Sequence, residues 1–146
     1  MKISNYFELK ELTHSKTALA RKIPNHPNFE QQKNLVLLAK KYLDPIREFL
    51  GRPLKLTCAF RNDEVNALVG GVKNSIHKQG KAGDMIILEK DYQKVMQWLR
   101  DEFPQGVKAI AYKDRNFIHI NIEEYGIKEF LYCSSSKVYV PYQFES

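Results

Sequence analysis

Between Asn28 and Leu50, apolar side chains recur at Phe29, Leu35, Leu38, Ala39, Tyr42, Leu43, Ile46, Phe49 and Leu50. That spacing lays a stripe along one helix face and predicts the longest helix of the chain. Asn28 reads as its N-cap, Gly51 as its stop, and Pro45 as an internal kink, because proline lacks the N–H that the ladder needs. Shorter helical segments are expected over Glu8–Thr13, over Ser15–Lys22 with Ser15 as cap, and over Asp63–Val69, which Gly70-Gly71 ends. Pro24 to Pro27 reads as a loop. A further helix runs from about Lys90 to Phe103 and carries Tyr92, Val95, Met96, Trp98 and Leu99.

Period-two patterning predicts strands over Leu54–Phe60 and Ala82–Leu88, and a hairpin pairing Val107–Tyr112 with Phe117–Ile122. The second arm is the clearest: Ile118, Ile120 and Ile122 share one face, and Phe117, His119 and Asn121 share the other. The isoleucines belong to the core, which leaves a polar face to line a groove. The tail, Phe130-Leu-Tyr-Cys and Val138-Tyr-Val-Pro-Tyr, reads as one or two edge strands or an extended arm, and Pro141 suits an edge. Together these elements predict an α+β domain with helices on one side of a mainly antiparallel sheet. Trp98 and the aromatic tail are read as packing rather than as a sugar-stacking platform.

At 146 residues the chain fits one domain spanning 1–146, large enough to bury roughly 68–70% of the surface its unfolded form exposes. No repeat, low-complexity tract or linker divides it. Cys58 and Cys133 form no Cys-x-x-Cys pair, so they read as small core or surface residues, with a disulfide between them left open. No apolar leader follows Met1, since Lys2, Asn5, Glu8 and Lys10 interrupt it, and no run approaches a membrane span. The expectation is a soluble monomer made in the cytoplasm. A net charge of +6 favours anionic partners. Peptidoglycan, lipopolysaccharide and nucleic acid all qualify, but the basic residues are scattered and no nucleic-acid recognition signature is found.

The polar positions then change the picture. Ser75-Ile-His77-Lys-Gln-Gly80-Lys-Ala82-Gly-Asp84 and Phe117-Ile-His119-Ile-Asn121 offer two imidazoles and one carboxylate from separate segments. Zinc takes both donor types, and a hydrolytic zinc site has three protein ligands with the fourth position left for water. Glycines at 80 and 83 argue against a helix between His77 and Asp84. A loop carrying His77 into a strand that begins near Asp84 is expected instead. His14, on a helix approach, and His26, in a proline-flanked turn, are left out of the metal set.

The run from Ala59 to Asp84 places Arg61, Asn66, Gly70-Gly71, Ser75-x-His77 and Gly80-x-Ala82-x-Asp84 in order. This resembles the signature of the zinc D-alanyl-D-alanine carboxypeptidases and related phage endolysin peptidases, family 15 of the metallopeptidases. Phe7 to Ser15 and Asn34 to Arg47 are similar to the helical lead-in of its short members, so the resemblance covers roughly residues 5 to 122. It implies a Hedgehog/DD-peptidase-like fold, Zn²⁺ ligated by His77, Asp84 and His119, a substrate-binding or polarising Arg61, and a Ser75 that supports the metal loop and contributes to substrate binding. It also implies a peptidoglycan stem peptide as partner and a lysin's action on the cell wall, after release through a lesion made by another protein.

Two positions depart from the pattern. Many members carry a carboxylate, the general base, three residues before the last zinc histidine, where this chain has Asn116. Asp114, in the hairpin connection, is the first candidate to replace it, ahead of Glu123 and Glu124, although Asp114 also suits a plain turn residue. Asn121 stands where short relatives carry Asp. These substitutions leave open a second expectation, a non-catalytic zinc-containing binding domain such as the Hedgehog signalling domain.

Overall fold

The computed structural model describes residues 1–135 and 137–145. Six strands form one sheet in the order β1-β2-β4-β3-β5-β6, where β1 is Leu56–Cys58, β2 Ala82–Ile86, β3 Gly106–Tyr112, β4 Phe117–Glu123, β5 Lys128–Cys133 and β6 Tyr139–Pro141. Every pairing is antiparallel except β3 with β5. The helices are α1 (Leu9–Thr13), α2 (Lys16–Arg21), α3 (Phe29–Leu38), α4 (Asp44–Leu50), α5 (Asp63–Leu68) and α6 (Tyr92–Asp101). The α+β architecture is as the hydrophobic pattern predicts.

The long helix begins where its cap is expected. Asn28 Oδ1 accepts from the Gln31 backbone N–H at 2.8 Å, and Gln31 Oε1 returns the bond to the Asn28 N–H at 2.7 Å. Two of the four unpartnered N–H groups of the first turn are thereby satisfied. The helix does not stop at Pro45 but changes pitch: Ala39–Leu43 form a π turn in which the Asp44 N–H reaches back five residues to the Ala39 carbonyl. Widening the ladder just before the proline accommodates a residue that has no N–H to donate. Gly51, at φ +70°, ends the helix. Phe29, expected on the apolar stripe, is instead 77% exposed.

One apolar cluster joins Leu35, Leu38, Leu43 and Ile46 of the long helix to Val95, Met96 and Leu99 of α6 and to Met85, Ala109, Ile118 and Ile120 of the sheet. Each fully buried large side chain contributes about 1.5–3 kcal/mol relative to exposure. Ile118 and Ile120 have no exposed surface, so β4 can sit in only one register: a one-residue slip would put His119 into the core. Pairing from Tyr112↔Phe117 to Val107↔Ile122 fixes the hairpin as predicted. Tyr92 on α6 pins its turn end, donating to the Tyr112 carbonyl at 2.6 Å and accepting from the Phe117 N–H at 3.0 Å.

Three expectations change. β1 is shorter than Leu54–Phe60 and is interrupted by a bulge between Leu56 and Cys58. β5 is not an edge strand; it lies between β3 and β6, parallel to β3, and β6 with Pro141 forms the edge at that end of the sheet. Cys58 and Cys133 are both free, on strands β1 and β5 that are separated by three others. Trp98 packs as expected, stacked on Phe49 with ring centroids 4.7 Å apart. The tail aromatics pack on one another through Phe130, Tyr132, Tyr142 and Phe144. Among the described residues, no helix is long and apolar enough to cross a membrane.

Candidate metal centre

The sheet face opposite the core forms the floor of an open groove of about 1020 Å³. Arg61, Ser75, His77, Asp84, Asp114, His119, Asn121 and Glu123 all line it, whereas Asn116 and Glu124 do not. His14 and His26 are exposed elsewhere.

His77 does not lie on an irregular loop but on a single 3₁₀ turn, Ile76–Gln79. Ser75 starts the turn by accepting from the His77 N–H at 3.3 Å, and Gly80 ends it at φ +76°. A side chain at Gly80 would be strained twice over, since its Cβ would lie 2.7 Å from the Gln31 carbonyl oxygen. The turn is tied down to α3: Gln31 donates to the Lys78 carbonyl at 3.0 Å and Asn34 to the Gln79 carbonyl at 2.8 Å. Asp84 and His119 are direct cross-strand partners on β2 and β4, which places their side chains on the same face.

Two imidazole nitrogens meet at one carboxylate oxygen. His119 Nδ1 lies 2.9 Å from Asp84 Oδ1, and His77 Nε2 lies 3.4 Å from the same atom. The outer nitrogen of each ring is held by an acceptor. His77 Nδ1 is 2.6 Å from the Ala59 carbonyl oxygen, which has no proton of its own, so Nδ1 carries the hydrogen. His119 Nε2 is 3.0 Å from Asn121 Oδ1. The Asn121 amide is oriented by its own NH₂, which donates to Glu123 Oε1 at 3.1 Å, so its oxygen faces the imidazole. Outer acceptors of this kind fix the tautomer and leave the inner nitrogen to bind a cation. Two imidazole nitrogens and a carboxylate oxygen, carried by strands and a capped turn, fit zinc by donor chemistry.

The ionisation of the pair is strongly perturbed. Burial alone would lower the His77 pKa, but the hydrogen bond to Asp84, reinforced by the Cys58 thiol, outweighs it and pushes the pKa up to about 10. Asp84 moves the opposite way: burial opposes its ionisation, yet hydrogen bonds from His119 and His77 hold it far below the usual carboxylate range.

Around the donors, Arg61 closes one wall. Its backbone N–H donates to the His77 carbonyl at 3.3 Å and its guanidinium to Ser75 Oγ at 3.2 Å. The Arg61 Nε is buried with no hydrogen-bond partner among the described residues. Asp114 sits exposed on the β3–β4 turn at φ +60°, its backbone N–H donating to Glu89 Oε2 at 2.9 Å. Asn116 turns its side chain to the Glu89 backbone N–H at 2.9 Å. Glu123 lies on the same strand face as His119, beyond Asn121.

One neighbour escaped the sequence analysis. Cys58, His77 and Asp84 each offer a donor atom within 4.8 Å of the other two. Strict alternation from Leu54 would send Cys58 to the core with Leu56 and Phe60. The bulge sets Leu56 opposite Met85 but Cys58 opposite the adjacent Asp84, which moves Cys58 to the groove face. Asn25 was also missed: it is buried, donates to the Thr13 and Phe60 carbonyls and accepts from the Asn62 N–H, and so ties the lead-in helices to the Arg61 segment.

An α+β sheet with nitrogen and carboxylate donors on the floor of an open polar groove has the make-up of a metallopeptidase. The chain belongs to the Peptidase M15 family, whose model matches residues 5–121. That span runs from the N-terminal helices through all three donors to Asn121, and the family is zinc-dependent. No curated protein matches the chain.

Proposed function

We propose that this peptidase is a zinc enzyme acting on peptidoglycan stem peptides, as a D-alanyl-D-alanine carboxypeptidase or an L-alanyl-D-glutamate-type endopeptidase, and that it works as a cell-wall lysin. The observation that carries this reading is the convergence of His77 Nε2 and His119 Nδ1 on Asp84 Oδ1, with both outer nitrogens tied to acceptors. Bound there, zinc would supply Lewis-acid polarisation of a scissile carbonyl and a lowered water pKa.

The protein's own residues do the rest. Ser75 holds the 3₁₀ turn closed and steadies the Arg61 guanidinium, so the histidine and the arginine keep a fixed separation. Arg61 brings a planar cation with a free buried donor into the groove wall, suited to a substrate carboxylate or to the charge that develops on the carbonyl oxygen. Asp114 is the carboxylate assigned to accept the water proton: it lines the groove and makes no ion pair among the described residues. Stem peptides carry free carboxylates, which match the positive balance of the chain.

A second reading rests on Asn116, whose amide cannot take a proton and is engaged with Glu89. In that reading the domain holds zinc and binds the wall without cutting it. The purified chain incubated with peptidoglycan, with and without a chelator, separates the two. New amino termini or released D-alanine by mass spectrometry, lost on chelation and in His77→Ala, support the peptidase; stoichiometric zinc with no cleavage over long incubation supports the binding domain.

A further inference from the structure

The groove runs past the metal donors to a second end that the proposed chemistry leaves without a task. Asp84 stands opposite His119 across β2 and β4. Nearer the hairpin turn, Phe117 stands opposite Tyr112, Tyr112 opposite Cys133, and Cys133 opposite Tyr139. Phe117 lies two residues before His119 on β4, so it shares the groove face about 7 Å further along the strand. Tyr112 stacks on Phe117 with ring centroids 4.3 Å apart, and Tyr139 meets Tyr112 edge-on at 6.3 Å. All three line the groove and give this end an aromatic floor.

Three cations rim that floor. Lys113 and Arg115 come from the β3–β4 turn and Lys137 from the β5–β6 connection, and all three line the groove. The two connections are joined, because the Lys113 N–H donates to the Cys133 carbonyl at 3.0 Å. Arg115 is drawn over the floor, its guanidinium carbon 5.7 Å from the Phe117 ring centroid. Among the described residues none of the three pairs with a carboxylate, whereas Lys108, elsewhere in the groove, is matched to Glu129. Asp114 lies between Lys113 and Arg115, and Glu89, which holds the Asp114 N–H, does not line the groove, so this end keeps a net positive charge.

The cationic end lies across the metal site from Arg61. β1 runs antiparallel to β2, with Leu56 opposite Met85 and Cys58 opposite Asp84, so the chain that continues to Arg61 leaves towards the Ala82 end of β2. Phe117 stands at the other end, opposite Ile86.

We propose that Lys113, Arg115 and Lys137, above the Tyr112–Phe117 stack, bind a second carboxylate of the substrate, so that the groove selects a peptide that is acidic at the end remote from Arg61. The inference rests on the peptidase reading and adds a specificity element to it. An extended peptide advances about 3.4 Å per residue, so a carboxylate about two to three residues beyond the scissile bond reaches the cations. In a stem peptide cut at its terminal D-alanyl-D-alanine bond, the C-terminal carboxylate faces Arg61 and the free carboxylate of the D-glutamyl residue falls in that range. Amidation of that residue removes the charge that the three cations read.

Kinetics of the zinc-loaded full chain on two synthetic stem pentapeptides test this, one with the D-glutamyl carboxylate free and one with it amidated. The expected kcat/KM is about tenfold higher for the free acid, with the difference carried by KM. The Lys113→Gln/Arg115→Gln/Lys137→Gln variant loses the preference while its zinc content matches wild type. Should that variant fail to fold, the three single variants each lower the ratio, and added salt lowers it in the wild type. Equal kcat/KM for the two peptides in the wild type, or a preference that persists in the variants, overturns the proposal and leaves the peptidase reading standing. If the zinc-loaded chain cuts neither peptide, the peptidase reading fails, and titration calorimetry with the same pair decides the inference separately: about tenfold tighter binding of the free acid upholds it, and equal binding overturns it.

Discussion

Asn121 Oδ1 sits 3.0 Å from His119 Nε2, and the Asn121 NH₂ is in turn held by Glu123 Oε1 at 3.1 Å. A residue that marks a departure from the sequence pattern of short relatives therefore sets the tautomer of a metal-facing imidazole. An amide oxygen does for His119 what a carboxylate oxygen would do, except that it adds no charge.

Asn121→Ala removes the acceptor and frees the ring to turn or to switch tautomer. Zinc affinity is expected to fall by about 10–100-fold, measured by competition with a chromophoric chelator, whereas Asn121→Asp keeps an acceptor and stays close to wild type. Equal affinities for the alanine variant and the wild type would contradict the role given to this residue.

Asp114 and Glu123 are the carboxylates lining the groove besides Asp84, and the proposed hydrolysis needs one of them to take the proton of the attacking water. With Asp114 in that role, Asp114→Asn lowers kcat by about 10²–10⁴-fold at unchanged zinc content, while Glu123→Gln acts mainly through Asn121 and weakens zinc binding. The reverse pattern, a dead Glu123→Gln enzyme with full zinc and an active Asp114→Asn, moves the base to Glu123.

Arg61 offers a fork that lysine cannot copy. Arg61→Lys is expected to lose about 10²-fold in kcat/KM on a stem-peptide substrate while binding zinc normally, since the backbone N–H that holds the His77 turn is retained. Steady-state kinetics alongside metal analysis would reveal a purely structural role if both values fell together.

The pH dependence of the chelator-treated protein follows from the His77–Asp84 pair. His77 is raised from 6.5 to about 10, so the stability it contributes is fully present below pH 6.5 and is lost as pH rises through about 10. Asp84 is lowered from 3.8, so its contribution is present above that value and is lost as pH falls further. Thermal melts of the zinc-free chain should therefore decline from pH 6.5 towards pH 10. Zinc needs the deprotonated nitrogen, so a loaded sample gains stability over the same alkaline interval. A zinc-free melting temperature that is flat from pH 6.5 to 10 would remove the proton from His77.

What was legible in the sequence followed from period and from caps. The isoleucines of β4 fixed the face on which His119 stands, Asn28 and Ser15 marked helix starts, and Gly51 marked a helix end, because each is a local steric or hydrogen-bonding demand. The ligand set came from motif order rather than from geometry. Spacing alone left His77 on a loop, where a serine cap and a left-handed glycine instead wind one 3₁₀ turn. Cys58 was hidden because a bulge is a two-strand property: nothing within residues 54–60 announces that one of them will be unpaired. The place of β5 inside the sheet was hidden for a similar reason, since the parallel partner lies beyond the hairpin that separates them.

The central claim is that one ion is shared by side chains from the 3₁₀ turn, β2 and β4. Anomalous diffraction at the zinc edge from crystals of the loaded protein tests it directly. The account predicts a single strong peak within about 2.0–2.2 Å of His77 Nε2, Asp84 Oδ1 and His119 Nδ1. A peak elsewhere on the molecule, or rings that keep their contacts with Asp84 and hold no metal at saturating zinc, would contradict it.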